Sequence, residues 1–329
     1  MTGSQLSIRM NNKLLFNNNV LLAPMAGVND PVFRRICRRL GADLSYSEMV
    51  SALGLAYGSA RSAELLYIDD LEKPLAIQLF GKDPQVLAEQ ARLLEKRYGS
   101  DLALIDINMG CPTRKIAGKG EGAALMRDPA LAERMLRSVV EAVSLPVTVK
   151  FRRGYDAGQE TAVQFAQMAE AAGVAAVAVH GRWAVQLYSG QADRQVIGRV
   201  KAAVGIPVIA SGDVYTPADV QFYLQEQGAD AVMVARGAQG NPWIFSAIKA
   251  GLRATPQITL IERVTVAREH LCGLHELFPH RLAAMRKHIA WYFKGIPGAV
   301  AIRQQVNNCL QLTDYLQLLD DIQTGRFSR

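Results

Sequence analysis

Eight short apolar runs, most of them rich in β-branched residues, recur along the chain with helical stretches between them. Each run ends in a Gly, Pro or polar cluster where a loop should begin. Continuously apolar strands that alternate with helices form parallel sheets covered by helices, and a count of eight favours a closed barrel over an open doubly wound sheet. We therefore predict an α/β fold, a (β/α)8 TIM barrel. The eight runs are residues 20–22, 44–47, 75–79, 104–107, 147–150, 176–179, 208–210 and 231–234.

The helices between these runs carry start signals. An N-cap residue followed by proline precedes four of them, because a capping side chain satisfies free backbone N–H groups and proline fits the first turn. In the first helix Phe33, Ile36, Cys37 and Leu40 share an apolar face, and the arginines between them are expected on the opposite, solvent face. The four signals are Asp30-Pro31, Asp83-Pro84, Asp128-Pro129 and Thr216-Pro217.

After the eighth run the pattern changes. Residues 255–329 contain amphipathic helical stretches but no convincing strand, and Thr255-Pro256 is a plausible boundary. We predict a catalytic barrel over residues 1–254 and a small all-helical domain over 255–329. The centre of this domain, residues 281–294, interleaves cations with aromatics, which suits RNA. Composition alone favours a simpler interpretation, an amphipathic helix that buries its aromatics and solvates its cations.

Bulk composition excludes several classes of protein. Half of the 329 residues are hydrophobic, enough for one large core. The first 19 residues lack the apolar stretch of a secretory signal, and no apolar run is long enough to span a membrane, so we expect a cytoplasmic protein with no membrane contact.

The four cysteines contain no Cys-x-x-Cys pair, so we expect neither a disulfide framework nor a metal site. The net charge of +7 favours a polyanionic partner without proving one.

Polar residues follow the predicted strands at their carboxyl ends, where barrels of this kind place catalytic groups. Glycine-bearing turns follow strands seven and eight, where such barrels commonly bind a phosphate through backbone amides, and Gly212 and Gly237 would let the backbone approach it closely. The candidate positions at strand ends are Pro24, Met25, Ala26, Gln78, Asn108, Cys111, Lys150, His180, Ser211, Gly212, Asp213, Ala235 and Arg236.

Lys150 is the most distinctive cation, because it ends an otherwise apolar strand and should face whatever the barrel binds. Three roles are open. It could form a Schiff base, as in an aldolase. It could stay charged and stabilise the anion of a reduced flavin. It could instead pair with a carboxylate of the next strand and play no part in chemistry.

Cys111 lies in a Gly-Cys-Pro turn, which predicts a partly exposed and rigidly held thiol. A thiol is mostly protonated at neutral pH, so it can act as an acid as well as a nucleophile. Cys37 lies on the apolar face of the first helix and is expected to be buried, and Cys272 and Cys309, each beside a leucine, are given the same interpretation.

The chain contains five further segments in order, Val20 to Gly27, Ser47-Glu48-Met49, Asp106 to Pro112, His180-Gly181-Arg182 and Gly240-Asn241-Pro242-Trp243. Together they resemble the bacterial tRNA-dihydrouridine synthases, and in particular the B-type branch. The resemblance covers nearly the whole chain from Val20 onward. Two positions differ from the usual family pattern: Ser211 stands where Asn is common and Ala235 where Gly is common.

The resemblance implies a bound FMN. Pro24, Met25 and Ala26 would cradle it, and Gln78 and Lys150 would contact it. Its phosphate would be held by Ser211, Gly212 and Asp213, by Ala235 and Arg236, and on the same side by His180.

The resemblance also implies the chemistry. NADPH, or NADH, would reduce FMN, the flavin N5 would deliver hydride to uracil C6, and Cys111 would protonate C5. Asn108 is a candidate donor near the uracil. The base would be drawn out of a tRNA, in the D-loop for the B-type branch, and Arg286, Lys287 and His288 would contact the RNA. No obligate protein partner is evident.

Three alternatives compete. The same chemistry could act on ribosomal RNA, or on a free pyrimidine, as in a dihydroorotate or dihydropyrimidine dehydrogenase. A non-catalytic RNA-binding protein on a degenerate barrel is a third. The cationic, aromatic helical segment argues against a free base, and the joint presence of Gln78, Cys111 and Lys150 argues against degeneracy. Deletion from Thr255 onward should spare a small-molecule enzyme and abolish an RNA enzyme.

Overall fold

The computed structural model describes two short N-terminal strands and residues 19–327. Strands β1 (Ile8–Met10) and β2 (Lys13–Phe16) pair antiparallel, an addition that the sequence did not predict. The nine remaining strands form one sheet in which every pair is parallel. They are β3 (Val20–Leu22), β4 (Leu44–Ser45), β5 (Val50–Ser51), β6 (Leu75–Phe80), β7 (Leu102–Met109), β8 (Val147–Gly154), β9 (Ala176–Trp183), β10 (Val208–Ser211) and β11 (Ala231–Val234).

The sheet runs in the order β4-β3-β11-β10-β9-β8-β7-β6-β5 and curls on itself. A parallel bridge between Tyr46 and Ala76 links the segment after β4 to β6, so the two edges of the sheet meet. The arrangement is a TIM-like barrel, which confirms the predicted α/β architecture.

The predicted second strand, residues 44–47, is interrupted. Within it, Leu44 and Ser45 form β4 and Tyr46 makes an isolated bridge, and the short strand β5 follows at Val50–Ser51, beyond the predicted run. At the gap the Ser47 hydroxyl accepts a hydrogen bond from the Gln78 backbone N–H at 3.0 Å, which replaces a bond of the strand ladder. The side chain therefore ends the regular pairing that the apolar pattern predicted to continue.

Helices alternate with the strands, as predicted, and the side chains of Asp30, Asp83, Asp128 and Thr216 cap theirs. The helices as far as β11 are α1 (Pro31–Arg39), α2 (Ala52–Ala56), α3 (Ala60–Glu64), α4 (Pro84–Tyr98), α5 (Arg114–Ala117), α6 (Pro129–Ala142), α7 (Ala162–Ala171), α8 (Gln195–Ala203) and α9 (Pro217–Gln221). Those after β11 are α10 (Ile244–Lys249), α11 (Leu260–Leu277), α12 (Met285–Tyr292), α13 (Ala299–Asn308) and α14 (Leu312–Gln323).

One arginine of α1 departs from the prediction. Arg34 is buried, not on a solvent face, and its guanidinium binds the buried Glu72 carboxylate through bonds of 2.6 and 2.7 Å. Tyr67 and Asn29 accept further bonds from it through their carbonyl oxygens. A paired and fully hydrogen-bonded arginine can be buried, which hydrophobic periodicity alone does not reveal.

The core has three parts. Small and branched side chains such as Ala76, Ala178 and Ile209 fill the barrel interior, and a larger cluster lies between the strands and the surrounding helices. A third cluster gathers the helices after β11 around Leu271, Ile289 and Leu319.

The third cluster reaches the barrel through α1. Val32 and Ile36 of α1 belong to it, and Asp30, the N-cap of α1, lies 2.9 Å from the His270 ring on α11. Between residues 255 and 327 the structure has helices and turns but no strand. Among the described residues no helix is long and apolar enough to cross a membrane.

Candidate active site

The turn that carries Cys111 is fixed by Asn108, which lies in β7 near its carboxyl end. The Asn108 side-chain oxygen accepts hydrogen bonds from the backbone N–H groups of Gly110, at 3.1 Å, and Cys111, at 2.9 Å. The Cys111 thiol is partly exposed and lies 3.3 Å from the Thr113 hydroxyl. The thiol is therefore held at the mouth of the barrel on a backbone with little freedom.

A buried polar network supports that asparagine. The Asn108 side-chain N–H donates to the Gln78 amide oxygen at 2.8 Å, and the Gln78 N–H donates to Asp106 at 2.6 Å. Thr148 donates to the other Asp106 oxygen at 2.5 Å. Burial raises the pKa of Asp106 to about 6. The Asp106 carboxylate sets the direction of the Gln78 amide, and Gln78 sets that of Asn108.

Lys150 lies in β8 directly beside Asn108 in the sheet register. Burial lowers the pKa of its ammonium to about 8, with a further contribution from the Arg152 charge. Within residues 19–327 Lys150 has neither an ion-pair partner nor a hydrogen-bond acceptor. The suggestion that it pairs with a carboxylate of the next strand is therefore wrong, and the ammonium is left for a ligand.

Cations converge at the ends of β8 to β11. Burial lowers the pKa of His180 well below its ordinary value, and the charges of Lys150, Arg152, Arg182 and Arg236 lower it further, so the imidazole is neutral at neutral pH. Arg182 and Arg236 share the Asp213 carboxylate, at 2.7 and 2.9 Å. Because Lys150 and Arg152 form no ion pair among the described residues, this region keeps an excess of positive charge suited to an anion.

The turn after β10 brings its backbone unusually close to its neighbours. Gly212 has φ +119°, and a Cβ added there would lie 2.8 Å from the His180 ring. Ser211 before it is buried, and Asp213 after it has φ +49°.

The turn after β11 is equally close-packed. A Cβ on Gly237 would lie 2.2 Å from the Val214 carbonyl oxygen. Ala235 and Arg236 open the short 3₁₀ turn there, Arg236 to Ala238. The two turns are adjacent because β10 and β11 pair, so the predicted positions come together.

Pro24, Met25 and Ala26 form the loop after β3 at the same edge of the sheet. The Met25 carbonyl oxygen accepts hydrogen bonds from Val28 and Asn29, both at 3.1 Å, which closes the loop into a turn. Asn29 is buried beneath it and donates to the Ala23 carbonyl at 2.8 Å. The loop is thus pinned at its base and partly exposed at its tip.

Arg286, Lys287 and His288 do not form one surface, because consecutive helical residues point in different directions. Arg286 donates to the Cys309 carbonyl at 2.9 Å, away from the barrel. The Lys287 ammonium donates to the Gly27 carbonyl, beside the loop after β3. The His288 side chain is 1% exposed between α1 and α11 and cannot touch RNA in this conformation. His288 is therefore not among the residues that we propose to contact RNA.

The other three cysteines differ in whether their side chains are buried. Cys37 and Cys309 are buried, as predicted, but Cys272 is exposed, so its interpretation as a core residue was wrong. A leucine neighbour in sequence does not place a helical residue on the buried face, because adjacent positions lie about 100° apart.

Sequence reasoning missed two structural residues of the site. Arg152 is 2% exposed and donates to the Gly110 carbonyl at 2.8 Å, so it holds the Cys111 turn from the other side. Glu48 binds the backbone N–H of Gly27 and, at 3.0 Å, the guanidinium of Arg281. Glu48 belongs to the segment Ser47-Glu48-Met49, and Arg152 follows strand five by two residues. Their partners are far away along the chain, so sequence patterns do not reveal them.

Comparison with known proteins agrees with this geometry. The family model "Dihydrouridine synthase (Dus)" matches residues 21–326. The tRNA-dihydrouridine synthase B of Pseudomonas aeruginosa is 42% identical over 302 residues, 90% of each chain. The probable tRNA-dihydrouridine synthase 1 of Synechocystis sp. is 42% identical over 314 residues, 93% of this chain and 87% of that protein.

A solved structure supports the fold. A 2-naphthoyl-CoA reductase in complex with 2-naphthoyl-CoA superimposes with a TM-score of 0.58 at 12% identity, over 75% of this chain and 52% of that one. The match over nearly the whole length, together with relatives about 40% identical, confirms the resemblance: this chain belongs to the dihydrouridine synthase family.

Proposed function

We propose that the protein is an FMN-dependent tRNA-dihydrouridine synthase that reduces the C5=C6 double bond of uridines, with NADPH as reductant. The observation that carries the proposal is the placement of one partly exposed thiol, Cys111, beside an ammonium without a partner, Lys150, at the mouth of the barrel. The relatives' names agree with the reaction and the substrate.

The residues at the strand ends fit FMN. A phosphate needs backbone amides and an excess of positive charge. The turns at Gly212 and Gly237 supply backbone, and Arg182 and Arg236 share the single Asp213 carboxylate, which leaves one positive charge over, with neutral His180 beside them. We assign the partly exposed loop Pro24, Met25 and Ala26 to one side of the ring and Lys150 to the other. Gln78 is buried and bonded to Asp106 and Asn108, so it would support the ring from beneath. Ser211 and Ala235, small residues in place of the usual Asn and Gly, leave the backbone amides available.

When bound and reduced, FMN supplies the hydride that uracil accepts at C6. Cys111 then gives its proton to C5 and is left as a thiolate. The charges of Lys150 and Arg152 lie close enough to the Cys111 sulfur to stabilise that thiolate until solvent reprotonates it. Asn108 keeps the Cys111 turn in place. Its amide has a second N–H, which contacts the Met49 sulfur at 3.7 Å, and this N–H can donate to a uracil oxygen while the bond to Gln78 is kept.

We assign Lys150 the role of a charged group. A Schiff base needs a carbonyl substrate and a neutral amine, whereas a pKa of about 8 leaves Lys150 mostly charged at neutral pH. Its charge therefore favours an anionic reduced ring or the phosphate side of the cofactor.

We place the RNA on the barrel mouth and on the helices after β11, and treat residues 255–329 as an RNA-binding domain that begins near Thr255-Pro256. Lys287, on α12, supports this assignment because its ammonium lies beside the loop after β3. The names of the relatives support tRNA as the substrate, and the resemblance to the B-type branch is our ground for proposing the D-loop. Ribosomal RNA and a free pyrimidine remain the alternatives that an experiment must separate.

The test uses purified full-length protein. Cys111→Ala should keep the yellow FMN spectrum and its bleaching by NADPH, because the thiol does not hold the cofactor, but should lose most dihydrouridine formation on unmodified tRNA transcripts. General acids contribute about 10²–10⁴-fold, so a loss of that size is expected. Cys272→Ala, an exposed thiol on α11, is the matched control and should keep full activity. Full activity of Cys111→Ala would remove the proton-donor role.

A further inference from the structure

Three side chains of the kinds that bind metal ions meet where the helices after β11 pack on the barrel. Asp30 is the N-cap of α1, His270 belongs to α11 and His288 belongs to α12. Their side chains are 4%, 0% and 1% exposed. One oxygen or nitrogen atom from each lies within 4.8 Å of those of the other two. None of the three is among the residues that we assign to the cofactor, to catalysis or to RNA.

The distances between these atoms suit a tetrahedral ion. The Asp30 Oδ2 atom lies 2.9 Å from His270 Nε2 and 3.6 Å from His288 Nε2. Zinc binds nitrogen and oxygen at about 2.0–2.1 Å, which places the ligand atoms of a tetrahedron about 3.3–3.4 Å apart. The two observed separations lie on either side of that value, so small shifts of the side chains would complete the geometry.

The burial of His288 is not explained by hydrogen bonds. Neither of its ring nitrogens has a hydrogen-bond partner among the described residues, and 3.6 Å to Asp30 is too long for one. Its neighbours are the rings of Phe33, His270 and Trp291. A buried polar group without a partner is unfavourable and indicates a bound ion or water. Asp30 and His270 satisfy one another, whereas His288 needs a further partner.

The remaining polar atoms of the cluster are held by other groups, as is usual around metal ligands. The Asp30 Oδ1 atom accepts from the Phe33 backbone N–H at 3.0 Å. The Tyr292 hydroxyl lies 3.0 Å from His270 Nδ1, and a hydroxyl can donate or accept. His270 can therefore present an unprotonated Nε2 to an ion, as the tautomer whose Nδ1–H donates to the Tyr292 oxygen.

The ligand set selects the kind of ion. Imidazoles with a carboxylate suit zinc and the neighbouring transition metals, whereas calcium and magnesium prefer sets made of oxygen. An octahedral ion would need three further ligands in a site that solvent barely reaches, and a tetrahedral ion needs one water. The cysteine spacing predicts no metal site, and this cluster contains no cysteine.

We propose that Asp30, His270 and His288 bind one tetrahedral divalent ion of the zinc type, which joins the helices after β11 to α1 of the barrel. Asp30 and His270 are 240 residues apart along the chain, so only the folded protein brings the ligands together. The ion therefore stabilises the folded form. This inference is independent of the proposed function, because it involves neither flavin nor RNA.

The test measures metal binding by full-length protein that carries no affinity tag. Metal is first removed with a chelator, and Zn²⁺ is then added back. Wild type should retain one zinc per chain after gel filtration and should melt at a higher temperature with zinc than without it. Co²⁺ in place of Zn²⁺ should give the visible absorption bands of a tetrahedral site.

Three variants test the ligands and their support. Asp30→Asn keeps the helix cap, because Asn caps as well as Asp does, but removes the charged ligand. His288→Leu removes an imidazole. Tyr292→Phe removes only the group that holds His270, so it should weaken zinc binding about 10- to 100-fold, the usual loss for such a partner. The two ligand variants should lose about 100-fold or more.

His280→Gln is the matched control. The His280 side chain is 65% exposed and contacts Glu64, outside the cluster. This variant should bind zinc as wild type does, which shows that surface histidines do not supply the signal.

His288→Leu also gives a change of sign. Without metal it should melt at or above wild type, because it removes an unbonded buried polar group. With zinc it should melt below wild type, because only wild type gains from the ion. A variant that melts above wild type with and without zinc would contradict the proposal.

Two further outcomes would overturn the proposal. The first is wild type that retains no zinc and gives no tetrahedral Co²⁺ spectrum, which would leave His288 beside a bound water. That measurement requires no variant to fold. The second is unchanged zinc affinity in folded Asp30→Asn and His288→Leu, which would place the ion elsewhere.

Discussion

At the residue scale, we expect Lys150 to lower the stability of the cofactor-free protein and to raise its affinity for FMN. Its ammonium is largely buried in a barrel mouth without an ion-pair partner among the described residues, and burial lowers its pKa to about 8. Replacing it by methionine keeps the volume and removes the buried charge. We expect Lys150→Met to stabilise the cofactor-free protein at pH 7 by roughly 1–3 kcal/mol, while FMN affinity falls. Urea unfolding and a flavin titration measure the two effects.

The pH dependence follows from the same group. Because the folded-state pKa of Lys150 is lower than that of the unfolded chain, folding is penalised while the lysine is protonated in both states. The penalty is full below about pH 8 and disappears as the pH rises towards the unfolded value, about 10.4. The stability difference between wild type and Lys150→Met should therefore shrink from pH 8 to pH 10. A constant difference would show that desolvation of the charge is not its cause.

Sequence reasoning found the residues that stand out singly and missed those defined by distant partners. Cys111 in its Gly-Cys-Pro turn and Lys150 at the end of an apolar strand were visible. Arg152 follows the predicted strand five, but its role depends on the carbonyls of Gly110 and Leu187, which only the fold brings near. The prediction that His288 contacts RNA met the opposite problem. Its neighbours in sequence are cations, whereas its neighbours in space are Phe33 and His270.

At the scale of elements, the turn after β10 offers a sharp test. Gly212→Ala imposes both an unfavourable φ, +119°, and a contact of 2.8 Å with the His180 ring. Gly158→Ala is the control, because its φ is +82° but nothing lies within 4 Å of the added Cβ. Each should cost about 1–2 kcal/mol for conformation, and Gly212→Ala should cost more.

FMN affinity separates the two alanine variants further. The Gly212 turn is proposed to approach the phosphate, so Gly212→Ala should weaken FMN binding, whereas Gly158→Ala should leave it at the wild-type value. Thermal unfolding and flavin fluorescence give the two readings. Equal FMN affinities in all three proteins would place the phosphate elsewhere.

Strand positions were predictable because a buried parallel strand is apolar along its whole length. The break in strand two was not, because it depends on the Ser47 hydroxyl accepting from the Gln78 backbone, a contact between segments 31 residues apart. The burial of Arg34 has the same origin, since its partner Glu72 lies 38 residues away. Hydrophobic periodicity describes a single helix or strand at a time, whereas each of these contacts joins two separate segments of the chain.

At the scale of the whole molecule, the helices after β11 are not a detachable appendage. They share a hydrophobic cluster with Val32 and Ile36 of α1 and with Trp243, and His270 bonds to the α1 cap, Asp30. The sequence suggested deletion from Thr255 onward as a clean test of RNA dependence. The packing shows that this deletion would uncover buried apolar side chains of the barrel.

We therefore expect a chain that ends at Ala254 to be poorly soluble or to melt well below the full-length protein. Each large apolar side chain uncovered loses roughly 1.5–3 kcal/mol, against a typical folding free energy of about 5–15 kcal/mol. Thermal unfolding of the truncated and full-length proteins measures the effect. Equal melting temperatures would mean that the barrel is stable alone.

The most direct test of the account is a map of dihydrouridine in all RNA from cells with the gene, without it, and with Cys111→Ala in its place. We predict that specific tRNA dihydrouridines, in the D-loop, disappear on deletion and stay absent with Cys111→Ala, while ribosomal RNA is unchanged. Loss confined to ribosomal RNA, or tRNA dihydrouridine at normal levels with Cys111→Ala, would contradict the account.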